Sequence, residues 1–237
     1  MVSVLISDGA ANALEALGAA QAVIEYLGTA AFAISAALLA GRRRMTVVGV
    51  VVFSVIVATG GGTIRDILLG DLPVYWVADP RPLLVAAVAA GVTIALVEIG
   101  SVSLLRRYNL VRLFDAAGLA LFTIVGTNIA LETGADALAA IVVGIITGVG
   151  GGMIRDTIAG RIPEVLASGH MYATAALTGS VLNVLLLSYT DLAPTLASST
   201  SVAAIFGLRL LAARYGWGVP QFSIADESAA PDTDERA

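Results

Sequence analysis

Arginine and aspartate stand side by side at two places in an otherwise apolar chain, Arg65-Asp66 and Arg155-Asp156, and each pair follows three consecutive glycines, Gly60 to Gly62 and Gly150 to Gly152. A charge inside a bilayer costs at least ~2.5 kcal/mol on insertion scales and usually faces a polar cavity or a partner. Each glycine costs about 1 kcal/mol of helix stability relative to alanine, so a triplet predicts a broken or kinked helix. At such a break the first half ends in free carbonyls, which favour a cation, and the second half begins in free N–H groups. The carbonyls just before and within Gly60, Gly61, Gly62 and Gly150, Gly151, Gly152 are therefore candidate cation contacts in a water-filled pathway. The competing reading of the triplets is close helix packing, because small residues let backbones approach in lipid.

The two motifs belong to a longer repeat. Gly60-Gly61-Gly62-Thr63-Ile64-Arg65-Asp66, then Gly70 and Pro73, recurs 90 residues on as Gly150-Gly151-Gly152-Met153-Ile154-Arg155-Asp156, then Gly160 and Pro163. The same offset aligns Gly28 with Gly118, Phe32 with Phe122, Ile34 with Ile124 and Val52 with Val142. It also aligns Glu25 with Asp115, which predicts two symmetry-related ion pairs, Arg65 with Glu25 and Arg155 with Asp115, flanking a central constriction. The alternative is an arginine paired with the aspartate beside it, or snorkelling to headgroups.

The elements that must carry these residues follow from composition. Of 237 residues 58% are hydrophobic and 13% charged, with a mean hydropathy of +0.91, against about a quarter charged in soluble domains. A water-soluble globular protein is excluded. Thirteen arginines, no lysine, no cysteine and the single His170 exclude a lysine P-loop, Schiff-base chemistry, disulfides and thiolate sites, and make a zinc or haem site improbable. No cofactor and no resident metal are expected. About 20 apolar residues span the ~30 Å hydrocarbon layer, and seven such stretches occur, near 22–41, 46–70, 82–102, 112–131, 136–160, 170–190 and 193–213.

Seven spans place Arg42, Arg43, Arg44, Arg106, Arg107, Arg112, Arg161, Arg209 and Arg214 on one face and only Arg81 on the other. The positive-inside rule then puts the C-terminus in the cytoplasm and the N-terminus outside. Arg65 and Arg155 remain within the membrane. The expected architecture is an all-α membrane protein with residues 1–21 outside, a three-helix unit over 22–102, a second over 112–190, a seventh helix at 193–215 and an acidic, disordered cytoplasmic tail at 216–237. Three spans per unit make the second enter from the opposite side, an inverted repeat with a pseudo-two-fold axis in the membrane plane.

Other polar residues carry less. Asn128, Thr127 and Asn183 are expected to bond neighbouring helices, Tyr75 and Trp76 to sit in the aromatic belt, and His170 with Tyr172 to start the sixth span at the cytoplasmic interface. Arg42 to Arg44 mark topology first and offer an anionic-lipid contact second. Glu98 faces either the cytoplasmic interface or the pathway. Absence of an Asn-Pro-Ala motif, of a TVGYG-like filter and of Pro-Gln within a span argues against an aquaporin, a tetrameric potassium channel and a SWEET-type carrier.

Two GGGxxRD motifs 90 residues apart on the second and fifth of seven spans resemble the prokaryotic trimeric intracellular cation (TRIC) channels, over about residues 20 to 215. Bacterial relatives have also been grouped under a glycine transporter heading. The resemblance implies a homotrimer in the plasma membrane with one hourglass-shaped pathway per protomer, helices two and five bending at their glycines, and permeability to potassium and also sodium. Membrane lipids are expected partners and nucleic acid is not. The basic lipid-binding residues of the animal members' fourth helix are not evident in the span that opens Arg112-Leu113-Phe114-Asp115. The alternative function is an alternating-access carrier for a small zwitterion such as glycine.

Overall fold

A computed structural model describes residues 2–100, 109–167 and 171–218. The positions of Arg106, Arg107, His170 and the tail beyond residue 218 lie outside the described residues. All regular structure among the described residues is helical: α1 (Val2–Arg42), α2 (Val47–Leu69), α3 (Tyr75–Ala78), α4 (Arg81–Glu98), α5 (Leu110–Glu132), α6 (Ala137–Ile158), α7 (Ala173–Tyr189) and α8 (Pro194–Tyr215). Six helices contain segments long and apolar enough to cross a membrane, the first of them Gln21–Arg42 within the longer α1. The stretch expected near 170–190 forms α7, whose 17 residues reach about 26 Å at 1.5 Å per residue, short of the ~30 Å layer.

The repeat extends to the helix ends. Thr46 caps α2 by accepting from Gly49 N, and its repeat mate Asp136 caps α6 by accepting from Ala139 N; each satisfies a donor that the helix start leaves free. Gly70 and Gly160 follow α2 and α6 with φ of 70° and 65°. The turns before the two helices carry a second left-handed pair, Arg44 at 56° and Gly134 at 87°.

α1, α2, α5 and α6 pack together at the centre, with α4 on α1 and α2, α7 on α5 and α6, and α8 on α5 and α7. Phe32 stacks on its own repeat mate Phe122, ring centroids 5.6 Å apart. Around them the contacts are reciprocal. A Cβ on Gly28 would meet Phe122 at 3.0 Å, and one on Gly118 would meet Phe32 at 2.7 Å. One on Gly60 would meet Ile154 and one on Gly150 would meet Ile64. Gly61 faces the carbonyl of Thr147, and Gly151 that of Val57, the repeat mate of Thr147. Residue i touching j + 90 while j touches i + 90 is the pattern of a two-fold contact. Rising numbers on α2 meet falling numbers on α6, so the two helices cross antiparallel.

The glycines do not break their helices. α2 runs as continuous helix from Val47 to Leu69 and α6 from Ala137 to Ile158, and none of Gly60, Gly61, Gly62, Gly150, Gly151 and Gly152 has a positive φ. The half-helix ends with free carbonyls that the triplets predict are not formed. The propensity scale behind that expectation is a water scale. In hydrocarbon an unpaired backbone group costs several kcal/mol, which outweighs glycine's preference for other conformations and keeps the helix intact. Gly60, Gly61, Gly150 and Gly151 serve close approach instead, the crossing of α2 on α6, while Gly62 and Gly152 make room for Tyr75 and Tyr172.

Candidate functional site

Arg65 and Arg155 follow the glycines by the same number of residues on antiparallel helices, so they lie on opposite sides of the crossing. Each arginine gathers a cluster. Arg65, 2% exposed, donates from Nη1 to Glu25 Oε1 at 2.9 Å and from Nε to Asp66 Oδ1 at 2.7 Å. Asp66 Oδ2 accepts from Tyr75 N at 2.7 Å, which fixes the start of α3. The Tyr75 ring lies 5.1 Å from the guanidinium carbon, and Trp76 Nε1 donates to Thr63 Oγ1 at 2.8 Å. Tyr75 and Trp76 thus reach inward to the cluster as well as to the rim where the aromatic belt was expected. At that rim the Arg81 backbone N–H and guanidinium hold the Asp79 carboxyl below its usual pKa.

The mate cluster starts the same way and grows further. Arg155 Nη1 donates to Asp115 Oδ1 at 2.7 Å and to Ser35 Oγ at 2.8 Å, and Nε donates to Asp156 Oδ1 at 2.9 Å. Asp156 Oδ1 also accepts from Arg161 at 2.6 Å, and Oδ2 from Glu164 N at 3.1 Å. Asp115 then takes two further donors that have no counterpart at Glu25. Tyr172 Oη donates to Oδ1 at 3.0 Å, and Arg209 Nη2 approaches Oδ2 at 3.5 Å. Arg209 Nη2 also donates to Glu164 Oε2 at 3.2 Å, and its guanidinium covers the Tyr172 ring at 4.3 Å.

Both arginines therefore pair with the carboxylate across the helix interface and with the adjacent aspartate at once; the two sequence alternatives coexist. Charge-swap variants read the interface pair. Arg65→Glu and Glu25→Arg each lower the melting temperature of the detergent-solubilised protein, and the double variant recovers part of the loss. No recovery at all in the double variant shows that the contact contributes nothing.

Three residues join the cluster beyond those that the sequence reading places there. Tyr172 immediately precedes α7, as expected of the start of the sixth span, but it is 2% exposed and faces the cluster. Arg209, counted among the arginines of one face, is 3% exposed and lies within the bundle rather than at its surface. Its signal was present, since Arg209 follows Ala203-Ala204-Ile205-Phe206-Gly207-Leu208 and precedes Leu210-Leu211, the criterion that singles out Arg65 and Arg155. Glu164, tied to Arg209 and at 3.6 Å to Arg112, carried no such signal in a polar link. Of the weaker expectations, Asn183 Nδ2 donates to Asn128 Oδ1 at 2.7 Å, Asn128 to Ser198 at 3.0 Å, and Thr127 meets Ser180 at 2.7 Å, all between helices. Arg42, Arg43 and Arg44 are exposed, and Arg42 and Glu98 edge a cleft of about 440 Å³ lined by Leu38, Val50 and Thr93.

Comparison with known proteins bears on what these clusters belong to. A family model described as "Glycine transporter" matches the chain twice, at residues 22–98 and 112–188. The UPF0126 inner membrane protein YadS of Escherichia coli strain K12 is 41% identical over 201 residues, which cover 85% of this chain and 95% of YadS. Among solved structures, that of the TRIC trimeric intracellular cation channel orthologue from Rhodobacter sphaeroides is 34% identical with a TM-score of 0.77, over 83% of this chain and 98% of that one. The chain belongs to the prokaryotic TRIC family. A second TRIC structure, described as the basis for conductance through TRIC cation channels, is 30% identical with a TM-score of 0.74 over 86% of this chain and 98% of its own. This TRIC-family chain has several helices long and apolar enough to cross a membrane and is a multi-pass membrane protein, in keeping with a relative named an inner membrane protein.

Proposed function

We propose that the chain is a cation channel that passes monovalent cations, potassium chiefly and sodium also, with one pathway in each protomer of a homotrimer. The observation that carries this reading is the pair of buried arginine–carboxylate clusters on opposite sides of the α2–α6 crossing. Charged groups of both signs held on either side of a narrow, small-residue crossing are what a hydrated cation route through a bilayer requires. In this reading Gly60, Gly61, Gly62 and Gly150, Gly151, Gly152 form the constriction. Arg65, Asp66 and Glu25 line the outer vestibule, and Arg155, Asp156 and Asp115 the cytoplasmic one. The two three-helix units are an inverted repeat with α8 added, the N-terminus is outside and the C-terminus cytoplasmic. Arginines near the route and the lack of a dedicated filter ring give modest selectivity among monovalent cations. Arg42, Arg43 and Arg44 contact anionic headgroups on the cytoplasmic side. The trimer and the cation rest on the likeness to solved channels described as trimeric and cation-conducting.

Purified protein in planar bilayers with potassium chloride on both sides tests the proposal. Unitary potassium currents that vary linearly with voltage support it. Saturable glycine uptake by proteoliposomes with no unitary current overturns it in favour of a carrier.

A further inference from the structure

The two clusters are not equivalent, and α8 makes the difference. Glu25 keeps 15% of its side chain exposed, whereas its repeat mate Asp115 keeps 1%. Of what covers Asp115, Tyr172 has a counterpart in space, since it packs on Gly152 as Tyr75 packs on Gly62; Arg209 has none, because α8 is unrepeated, and the position 90 residues before Glu164 is Val74. An α8 side chain therefore closes one cluster of a two-fold pair and leaves the other partly open.

The manner of closure is unlike a structural ion pair. Arg155, in the same cluster, spends its guanidinium on three acceptors at 2.7 to 2.9 Å. Arg209 puts a single nitrogen between two carboxylates, 3.5 Å from Asp115 Oδ2 and 3.2 Å from Glu164 Oε2. Its Nε and Nη1 are buried and have no hydrogen-bond partner among the described residues. Arginine holds carboxylates best as a two-pronged fork at about 2.7–2.9 Å, and a buried donor left unmade carries a desolvation penalty. The seat thus takes Arg209 as a point charge and wastes the rest of the guanidinium. It offers what a compact monovalent cation would use: two carboxylate oxygens from different elements and the face of Tyr172, a ring surface that attracts cations.

Resting on the channel reading above, we infer that Asp115 and Glu164 form a monovalent-cation seat at the α8 end of the pathway, and that Arg209 occupies this seat as a tethered competitor, closing that end. Exchange of the Arg209 guanidinium for a monovalent cation leaves the charge at the seat unchanged; a divalent ion would add one. The displaced side chain is long enough to snorkel toward the interface, six residues before the end of α8 at Tyr215.

Full-length wild type, Arg209→Gln and Glu164→Gln are compared in two assays. In planar bilayers with potassium chloride, Arg209→Gln raises open probability about tenfold, the equilibrium equivalent of one charge-assisted hydrogen bond lost from the closed state. In detergent at constant ionic strength, its melting temperature rises as potassium chloride replaces N-methylglucamine chloride, while that of wild type does not. Arg209→Gln with wild-type open probability and no potassium-dependent stabilisation overturns the inference. Should Arg209→Gln fail to fold, Glu164→Gln, which removes one of the two acceptors at nearly unchanged volume, is read in its place: a raised open probability supports the competitor and an unchanged one overturns it. If wild type and variants all carry no unitary current, the channel reading fails, and potassium-dependent melting of Arg209→Gln alone decides the seat.

Discussion

Gly61→Ala destabilises the protein by about 3 kcal/mol and abolishes the potassium current proposed for it, whereas Gly60→Ala, one residue away, changes stability by less than about 1 kcal/mol. The difference lies in what the new methyl group meets. At Gly61 it lands on the Thr147 carbonyl oxygen, with the Gly151 nitrogen at 3.5 Å behind it. Backbone on a neighbouring helix cannot rotate away, so α6 must withdraw from α2. At Gly60 the obstacle is Ile154 Cδ1, the far end of a flexible side chain. There alanine's helix propensity, worth about 1 kcal/mol over glycine, offsets the small rearrangement. Gly151→Ala falls between the two, with Val57 O at 3.0 Å and Phe32 at 3.1 Å. Denaturation in mixed micelles by increasing anionic detergent ranks the three, and equal midpoints for Gly61→Ala and Gly60→Ala count against the crossing as the tight contact.

That ranking also marks how far the sequence reaches. The offset of 90 residues pairs Arg65 with Glu25 and Arg155 with Asp115, because a duplicated unit preserves which helix faces which, and the geometry has both contacts. It also carries the caps at Thr46 and Asp136 and the left-handed residues at Arg44 and Gly134. The offset is silent on everything outside the repeat. Arg209 lies on the unpaired α8 and was counted with arginines near span ends, since a tally by face takes no notice of depth. Tyr172 opens α7 at a position where an interfacial tyrosine is the usual expectation, and only the three-dimensional approach of α5 turns it to Asp115. The glycine triplets were legible as a special place but not as a crossing: propensity is a property of one helix, and which neighbour needs the space is a property of two.

Asp115→Ala costs about 3–5 kcal/mol, the largest loss expected of any single charge in the protein, because it strips a buried carboxylate from cations that stay buried. Arg155 Nη1 keeps only Ser35, Arg209 Nη2 keeps only Glu164, and the Tyr172 hydroxyl loses its acceptor. With Arg209 in place, Arg155, Tyr172 and Arg209 are each at most 3% exposed, so water does not directly replace the lost oxygens in this closed arrangement. Glu25→Ala is the control from the mate cluster. It removes the equivalent acceptor from Arg65, but Glu25 reaches solvent and Asp66 still holds Nε at 2.7 Å, so its cost is about 1–2 kcal/mol. Arg155→Met with Asp115→Leu, an apolar replacement of the central pair, recovers part of the loss because no opposed charge is then stranded at the pair itself. Recovery is incomplete, since Asp156 and Arg209 keep their charges. A double-mutant cycle on melting or denaturation midpoints measures the coupling, expected at about 2–3 kcal/mol for residues in direct contact. Equal costs for Asp115→Ala and Glu25→Ala would mean that water reaches both clusters alike, and the asymmetry that α8 imposes on the repeat would then have no energetic consequence.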